Sequence, residues 1–500
     1  MSSLKHLTID PSVLKEVPAK IAAHYKCLPV GWDEGVLKLA VNSELDAETL
    51  DEIRIVLQRD IRPVRAPAEE IDEAMKAAYG IGADTLERLV DASAPQIVTE
   101  DRNGNDLDAA QEASVSKFVN QMFLEAFQSR ATDIHLEPYA DDLRVRYRID
   151  GVLYEAKISD SLKRFQAAIT SRIKIMAELS ISEKRLPQDG RIMVRVEGQE
   201  MDLRVSTLPT PFGESIGIRF LTSRQFLDLP HLGFAKEDLE QLESYLSKPH
   251  GILFLTGPTG SGKTTTLYAF LKQINQTDRK IITMEDPIEY QMKGVTQVQV
   301  HPKIGLTFAH GLRSMLRHDP DVMMVGEVRD FETAEIAIRV ALTGHLVFST
   351  LHTNDASGAV TRLEDIGVEP YLISSSVLCI IAQRLVRVIC SGCKGEVPLR
   401  REWRKEFGLA LSGPDVTVFE GKGCESCKHT GFRGRTVIYE ILPITPAVQT
   451  LIYTRAPANK IRDQALEEGM RTLRQCGWEK VRGGITTPEE VIRATLLEGF

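Results

Sequence analysis

The residues best suited to chemistry lie between Ile252 and Gln273. Gly257, Pro258, Thr259, Gly260, Ser261, Gly262, Lys263 and Thr264 fit G-x-x-x-x-G-K-[ST] in full, and Thr265 follows. The apolar run Ile252 to Leu255 predicts a buried strand feeding this glycine-rich loop, with a helix beginning near Gly262. Glycines let the backbone turn tightly enough to aim successive N–H groups at phosphate oxygens. The helix N-terminus adds a field that favours the anion. In such a loop Lys263 is expected to reach the β- and γ-phosphates and Thr264 to ligate Mg²⁺. The pattern implies a nucleoside triphosphate site.

Three further apolar runs end in polar residues. Ile281 to Met284 leads into Glu285, Asp286, Pro287, Ile288 and Glu289; Val322 to Val325 leads into Gly326 and Glu327; Leu346 to Thr350 leads into Leu351 and His352. In open α/β sheets, ligands bind at the C-terminal edge of the strands. The second run is the counterpart of a Walker B strand, but Gly326 stands where an Asp is common and Glu327 follows. Mg²⁺ requires hard oxygen ligands, which leaves two arrangements open. Either Glu327 supports the metal and Glu285 orients or deprotonates the attacking water, or the roles are reversed. His345 and His352 flank the third run and are expected to sense or polarise the phosphate.

Cys390-x-x-Cys393 and Cys424-x-x-Cys427 form two knuckles separated by thirty residues. Four thiolates can close a tetrahedral Zn²⁺ site, whose full shell implies structure rather than catalysis. Cys27, Cys379 and Cys476 are isolated and expected as small buried hydrophobes.

The elements that must position these residues need several domains. At roughly 100–200 residues per domain, 500 residues make three to four units. With 43% hydrophobic and 26% charged residues, the chain is not disordered throughout. No apolar run approaches the ~18 residues that cross a bilayer, and the N-terminus lacks a signal-peptide pattern. The longest uncharged run, Pro370 to Gln383, reads as helix-like. Residues 1–95 carry 11 Lys and Arg against 17 Asp and Glu, a net of −6 within a total of −9. That balance argues against nucleic acid as a partner.

Several ordered signatures coincide: Ala131-Thr-Asp-Ile-His-Leu-Glu-Pro138, the phosphate loop, Glu285 to Glu289, Val325-Gly-Glu-Val-Arg-Asp330, Thr343-Gly-His345 through His352-Thr-Asn354, and the four cysteines. With them the chain resembles the secretion-superfamily traffic ATPases, closest to those of type II secretion. The resemblance implies an α/β multidomain fold. A small N-terminal adaptor domain (1–90) and a linker (91–108) precede a PAS-like α+β domain (109–221). A hinge (222–234) then leads to a RecA-like ATPase domain (235–500) containing a zinc subdomain (386–435). It implies a cytoplasmic, Mg²⁺-dependent ATPase that forms a homohexamer at the inner-membrane face and powers pseudopilus assembly and protein export across the outer membrane. Type IV pilus extension is the alternative. Partners implied are the cytoplasmic part of a bitopic inner-membrane protein, met by the N-terminal domain, and a polytopic platform protein. Arg204 and Arg219, with Arg191 behind them, match the family's arginines that reach a γ-phosphate. The repeated cyclic di-GMP motifs of related pilus ATPases are not evident, so no such ligand is assigned.

Overall fold

A computed structural model describes residues 9–496 except 19–20, 23–24, 34, 43–44, 80–104, 157, 159, 197–198, 223–227 and 411–415. Most of the expected linker and part of the expected hinge therefore lie outside the described residues. The chain divides into two compact units, Met1–Ser223 and Arg224–Phe500.

The first unit contains two sheets. The smaller joins β1 (Cys27–Asp33), β2 (Val36–Val41) and β3 (Ile61–Arg65), with helices α1 (Ala47–Leu57) and α2 (Ala68–Tyr79). The second sheet follows the long helix α3 (Asn105–Gln128). Its strands are β4 (Ala131–Pro138), β5 (Leu143–Ile149), β6 (Val152–Glu155), β7 (Gln188–Val196), β8 (Gln199–Thr210) and β9 (Gly213–Thr222). They pair antiparallel in the order β6-β5-β4-β9-β8-β7. Residues alternate between faces along each strand. Ile134, Leu136, Val145, Leu203, Val205, Ile216 and Ile218 thus share a core with Phe118, Val119 and Met122 of α3 and Ile169 and Ile173 of α4 (Gln166–Met176). Within this unit Lys174 and Glu214 form a salt bridge of 2.7 Å, their side chains only 1% and 5% exposed.

The second unit opens with α5 (Lys236–Leu246) and is built on a seven-stranded sheet. Its strands are β10 (Gly251–Thr256), β11 (Ile281–Glu285), β12 (Val295–Gln299), β13 (Val322–Val325), β14 (Leu346–Leu351), β15 (Val377–Ile389) and β18 (Phe432–Pro443). Their order is β12-β11-β13-β14-β10-β15-β18, parallel except for β18 against β15. Both faces are covered, so the strands read as continuous apolar runs rather than alternating ones. Leu253 and Leu255 pack towards Leu267, Phe270 and Leu271 of α6 (Lys263–Ile274), while Ile252 and Phe254 face a core with Ile338 and Leu312. Between β15 and β18, β16 (Lys394–Pro398) and β17 (Thr417–Gly421) form a two-stranded antiparallel ribbon.

The run Pro370 to Gln383 is not one helix. It is helical to Ser376 and then enters β15. A strand buried on both faces has the same uninterrupted apolar pattern as a buried helix, so periodicity does not separate them.

Candidate nucleotide site and four-cysteine cluster

β10 is fully buried, and β14 lies between it and β13. The C-terminal ends of β10, β14, β13 and β11 therefore line up along one edge. The loop after β10 turns on glycines held at positive φ: +144° at Gly257, +80° at Gly260 and +89° at Gly262. A Cβ on Gly257 would sit 2.6 Å from the Gln383 carbonyl oxygen and 2.6 Å from Ser261 Oγ. Backbone conformation and close packing together fix glycine there.

Lys263 opens α6 and is 9% exposed. Its Nζ donates to the carbonyls of Gly257 at 2.6 Å and Pro258 at 3.2 Å, so the ammonium is folded onto its own loop. Burial first, then the positive charge of Arg384, lower its pKa to about 8, with Glu327 opposing. Thr264 and Thr265 are exposed on the first turn of α6.

Glu327 follows β13 with its side chain 13% exposed. Arg329 contacts one carboxylate oxygen at 2.6 Å and His352 Nε2 the other at 3.4 Å. Thr350 Oγ1 donates to the Gly326 carbonyl at 2.7 Å, tying this turn to β14. A Cβ on Gly326 would meet the Met284 carbonyl at 3.3 Å and Glu285 Cα at 3.5 Å, so a larger residue would crowd the end of β11. Glu285 itself is 3% exposed. It accepts from Thr283 Oγ1 at 2.6 Å, from Gln297 Nε2 at 3.0 Å and from the Tyr268 hydroxyl.

His345 is not brought to this edge of its own sheet. It precedes β14, and its carbonyl accepts from the N–H of Gly251 at the start of β10. Its ring Nδ1 lies 3.1 Å from the Val340 carbonyl. At about 3.3 Å per residue, the seven steps along β14 place it roughly 23 Å from His352. The two histidines that flank one strand in sequence therefore lie at its opposite ends.

Two residues not singled out from sequence complete the loop's support. Gln383 on β15 donates to the Ser261 carbonyl at 2.9 Å and accepts from Thr266 Oγ1 at 3.0 Å. Arg384 beside it donates to the Asn354 carbonyl at 2.8 Å, linking β15 to the segment after β14. The pairing of β15 with β10 brings them there, and no local pattern announces it.

In the first unit, Arg191, Arg204, Arg219, Asp133 and Arg148 stand directly opposite one another on β7, β8, β9, β4 and β5. Opposite residues share a face. Arg204 and Arg219 thus lie in one row, with Arg219 Nε donating to Asp133 Oδ1 at 2.9 Å.

The four cysteines of the two knuckles gather at the end of the β15/β18 ribbon. All four sulfurs lie within 4.8 Å of one another, and 3.8, 3.8 and 3.7 Å separate Cys390–Cys424, Cys393–Cys427 and Cys424–Cys427. A tetrahedral ion about 2.3 Å from each sulfur sets them about 3.8 Å apart, so the donor set fits Zn²⁺. Burial pushes the Cys393 thiol up to about 12. Burial acts on Cys427 too, but the N–H groups of Cys424 and Gly431 outweigh it and bring that thiol to about 7. The thirty residues between the knuckles hold the β16/β17 ribbon and a helix, Arg401–Glu406. No described helix is long and apolar enough to cross a membrane.

Residues 108–493 match the family model described as type II/IV secretion system protein, and residues 2–85 match the MshEN domain. The type IV pilus assembly ATPase PilB of Myxococcus xanthus is 42% identical, with 100% of this chain and 89% of that protein covered. The type II secretion system protein E of Xanthomonas campestris is 44% identical over 97% of this chain and 86% of its own length. The type II secretion system ATPase E of Vibrio cholerae is 41% identical over 96% and 97%. Among solved structures, the Legionella pneumophila ATPase DotB shares the fold, with a TM-score of 0.55 and 20% identity over 77% of this chain and 96% of that one. The chain belongs to the type II/IV secretion family and is a secretion-system ATPase of the group that also contains the pilus assembly ATPases.

Proposed function

We propose that this chain is a homohexameric, Mg²⁺-dependent ATPase that powers pseudopilus assembly for type II secretion from the cytoplasmic face of the inner membrane. The observation that carries the reading is Lys263, a buried ammonium parked on two loop carbonyls beside Glu327. In that position it is ready to exchange those carbonyls for phosphate oxygens.

Of the two arrangements open from sequence, the contacts favour Glu327 as the carboxylate that orients or deprotonates the attacking water. Its partners Arg329 and His352 are exposed and displaceable, whereas Glu285 is enclosed. Glu285 would support the metal through its charge, and Thr264 would ligate Mg²⁺ directly. Bound Mg²⁺ would neutralise charge building on the transferring phosphoryl group. His352 would hold Glu327 in place. Arg204 and Arg219 would supply guanidinium groups to the γ-phosphate of a neighbouring subunit. Cys390, Cys393, Cys424 and Cys427 would hold a structural Zn²⁺. The acidic N-terminal residues would dock on the cytoplasmic part of a bitopic inner-membrane protein, and the motor would act on a polytopic platform protein.

Type IV pilus extension is the second reading, favoured by the full-length match to a pilus assembly ATPase. Lys263→Ala is expected to abolish ATP turnover, and full activity in that variant would refute the site. Stimulation by acidic lipid with the membrane partner, and none by DNA, is expected. Co-purification from membranes with secretion rather than pilus components separates the two machines.

A further inference from the structure

Tyr268 is buried on α6, five residues after Lys263 and hence about 7.5 Å along the helix that opens at the phosphate loop. Its hydroxyl lies 3.3 Å from Gln297 Nε2 and contacts Glu285 Oε2. An ionised carboxylate can only accept, so the phenolic proton points at Glu285. Thr283 and Gln297 cover the other carboxylate oxygen at 2.6 and 3.0 Å. The donors take the place of water around a buried anion, and nothing in the set competes for a proton from it. Gln297 also donates to the Tyr290 carbonyl at 2.8 Å and accepts from the Met292 N–H at 2.7 Å, which locks the segment after Glu285 into the same network. Tyr290 meets the Tyr268 ring edge-on, centroids 5.9 Å apart, so the ring is packed independently of its hydroxyl.

We propose that Tyr268 is a positioning residue for the metal. By donating to Glu285 it fixes a negative charge at the end of β11, one strand from Glu327, and this charge draws Mg²⁺ to the bound nucleotide. The inference rests on the Mg²⁺–nucleotide reading of the site. Tyr268 touches neither nucleotide nor metal and acts through Glu285 alone. In Tyr268→Phe the ring packing stays, and the carboxylate loses the hydroxyl donor on Oε2.

The test is the ADP dissociation constant of the full chain, measured in EDTA and again at saturating Mg²⁺. The ratio of the two reports how strongly metal and nucleotide favour each other. Tyr268→Phe is expected to lower that ratio about tenfold, the scale of one hydrogen bond to a charged group, while the value in EDTA stays within about twofold. Glu285→Gln should show the same loss, and the double variant no further loss. Equal weakening in both media, or a wild-type ratio in Tyr268→Phe, overturns the inference. A wild-type ratio in Glu285→Gln overturns the metal role of Glu285 itself, whereas the Lys263→Ala assay tests the nucleotide site separately. Should Tyr268→Phe not fold, Tyr268→Met also removes the hydroxyl while its flexible chain fills the same space. It is expected to lower the ratio likewise, and an unchanged ratio there refutes the proposal.

Discussion

Raising the pH should loosen the grip on nucleotide through Lys263. Burial and the Arg384 charge bring Lys263 down to about 8 in the empty protein. A bound polyphosphate supplies the missing counter-charge and returns the group towards or above its ordinary value of about 10.4. Below pH 8 both states carry the ammonium, so affinity is flat. Above it, the empty site is neutral and binding must take up a proton, so log Kd rises with unit slope. Between pH 8 and 9.5 this weakens ADP binding about fifteenfold, or about 1.6 kcal/mol. Folding stability moves the other way. The cost of burying the charged amine is fully present below pH 8 and is relieved as pH rises towards the unfolded value. The assay is calorimetric titration of ADP with Mg²⁺ across pH 7 to 9.5, in two buffers of different ionisation enthalpy. Close to one proton should be absorbed per site at pH 9. A dissociation constant that stays flat to pH 9.5, with no proton uptake, would refute the reasoning.

Replacing Cys390 and Cys393 by Ser should remove bound zinc as read by elemental analysis; unchanged zinc content would show that these sulfurs do not hold it. Glu214→Gln leaves Lys174 charged and enclosed, so urea unfolding of the first unit should lose about 3–5 kcal/mol. A loss under 1 kcal/mol would mean water reaches the pair.

Much of the motor was legible because its information is local. The strand before Gly257, the glycines and Lys263 form one continuous segment, and β11, β13 and β14 appear where their apolar runs predict. The support for that segment is not local. Gln383 and Arg384 arrive from β15, and Gln297 from β12, through strand pairings that no spacing encodes. Tyr268 reads as one more apolar position of an amphipathic helix, although its hydroxyl meets a carboxylate. His345 shows a separation that the sequence does not display. His345 and His352 flank one apolar run, and an extended strand separates its ends more than any other element of equal length. The second carboxylate was visible, but its enclosure was not, since Glu285 and Glu327 both simply follow apolar runs.

The β16/β17 ribbon is pinned at its base by four sulfurs, and its segment also enters the core of the second unit through Leu399, Trp403 and Val418. Closing a loop costs only about 0.6 kcal/mol more for each doubling of its length. The exposed turns of this segment, unlike its buried Leu399, Trp403 and Val418, are thus where the chain can gain or lose residues while the strands that carry Gln383 and Arg384 stay in register. For the experimenter, the same feature marks where a reporter peptide can be spliced into the motor without passing through its sheet.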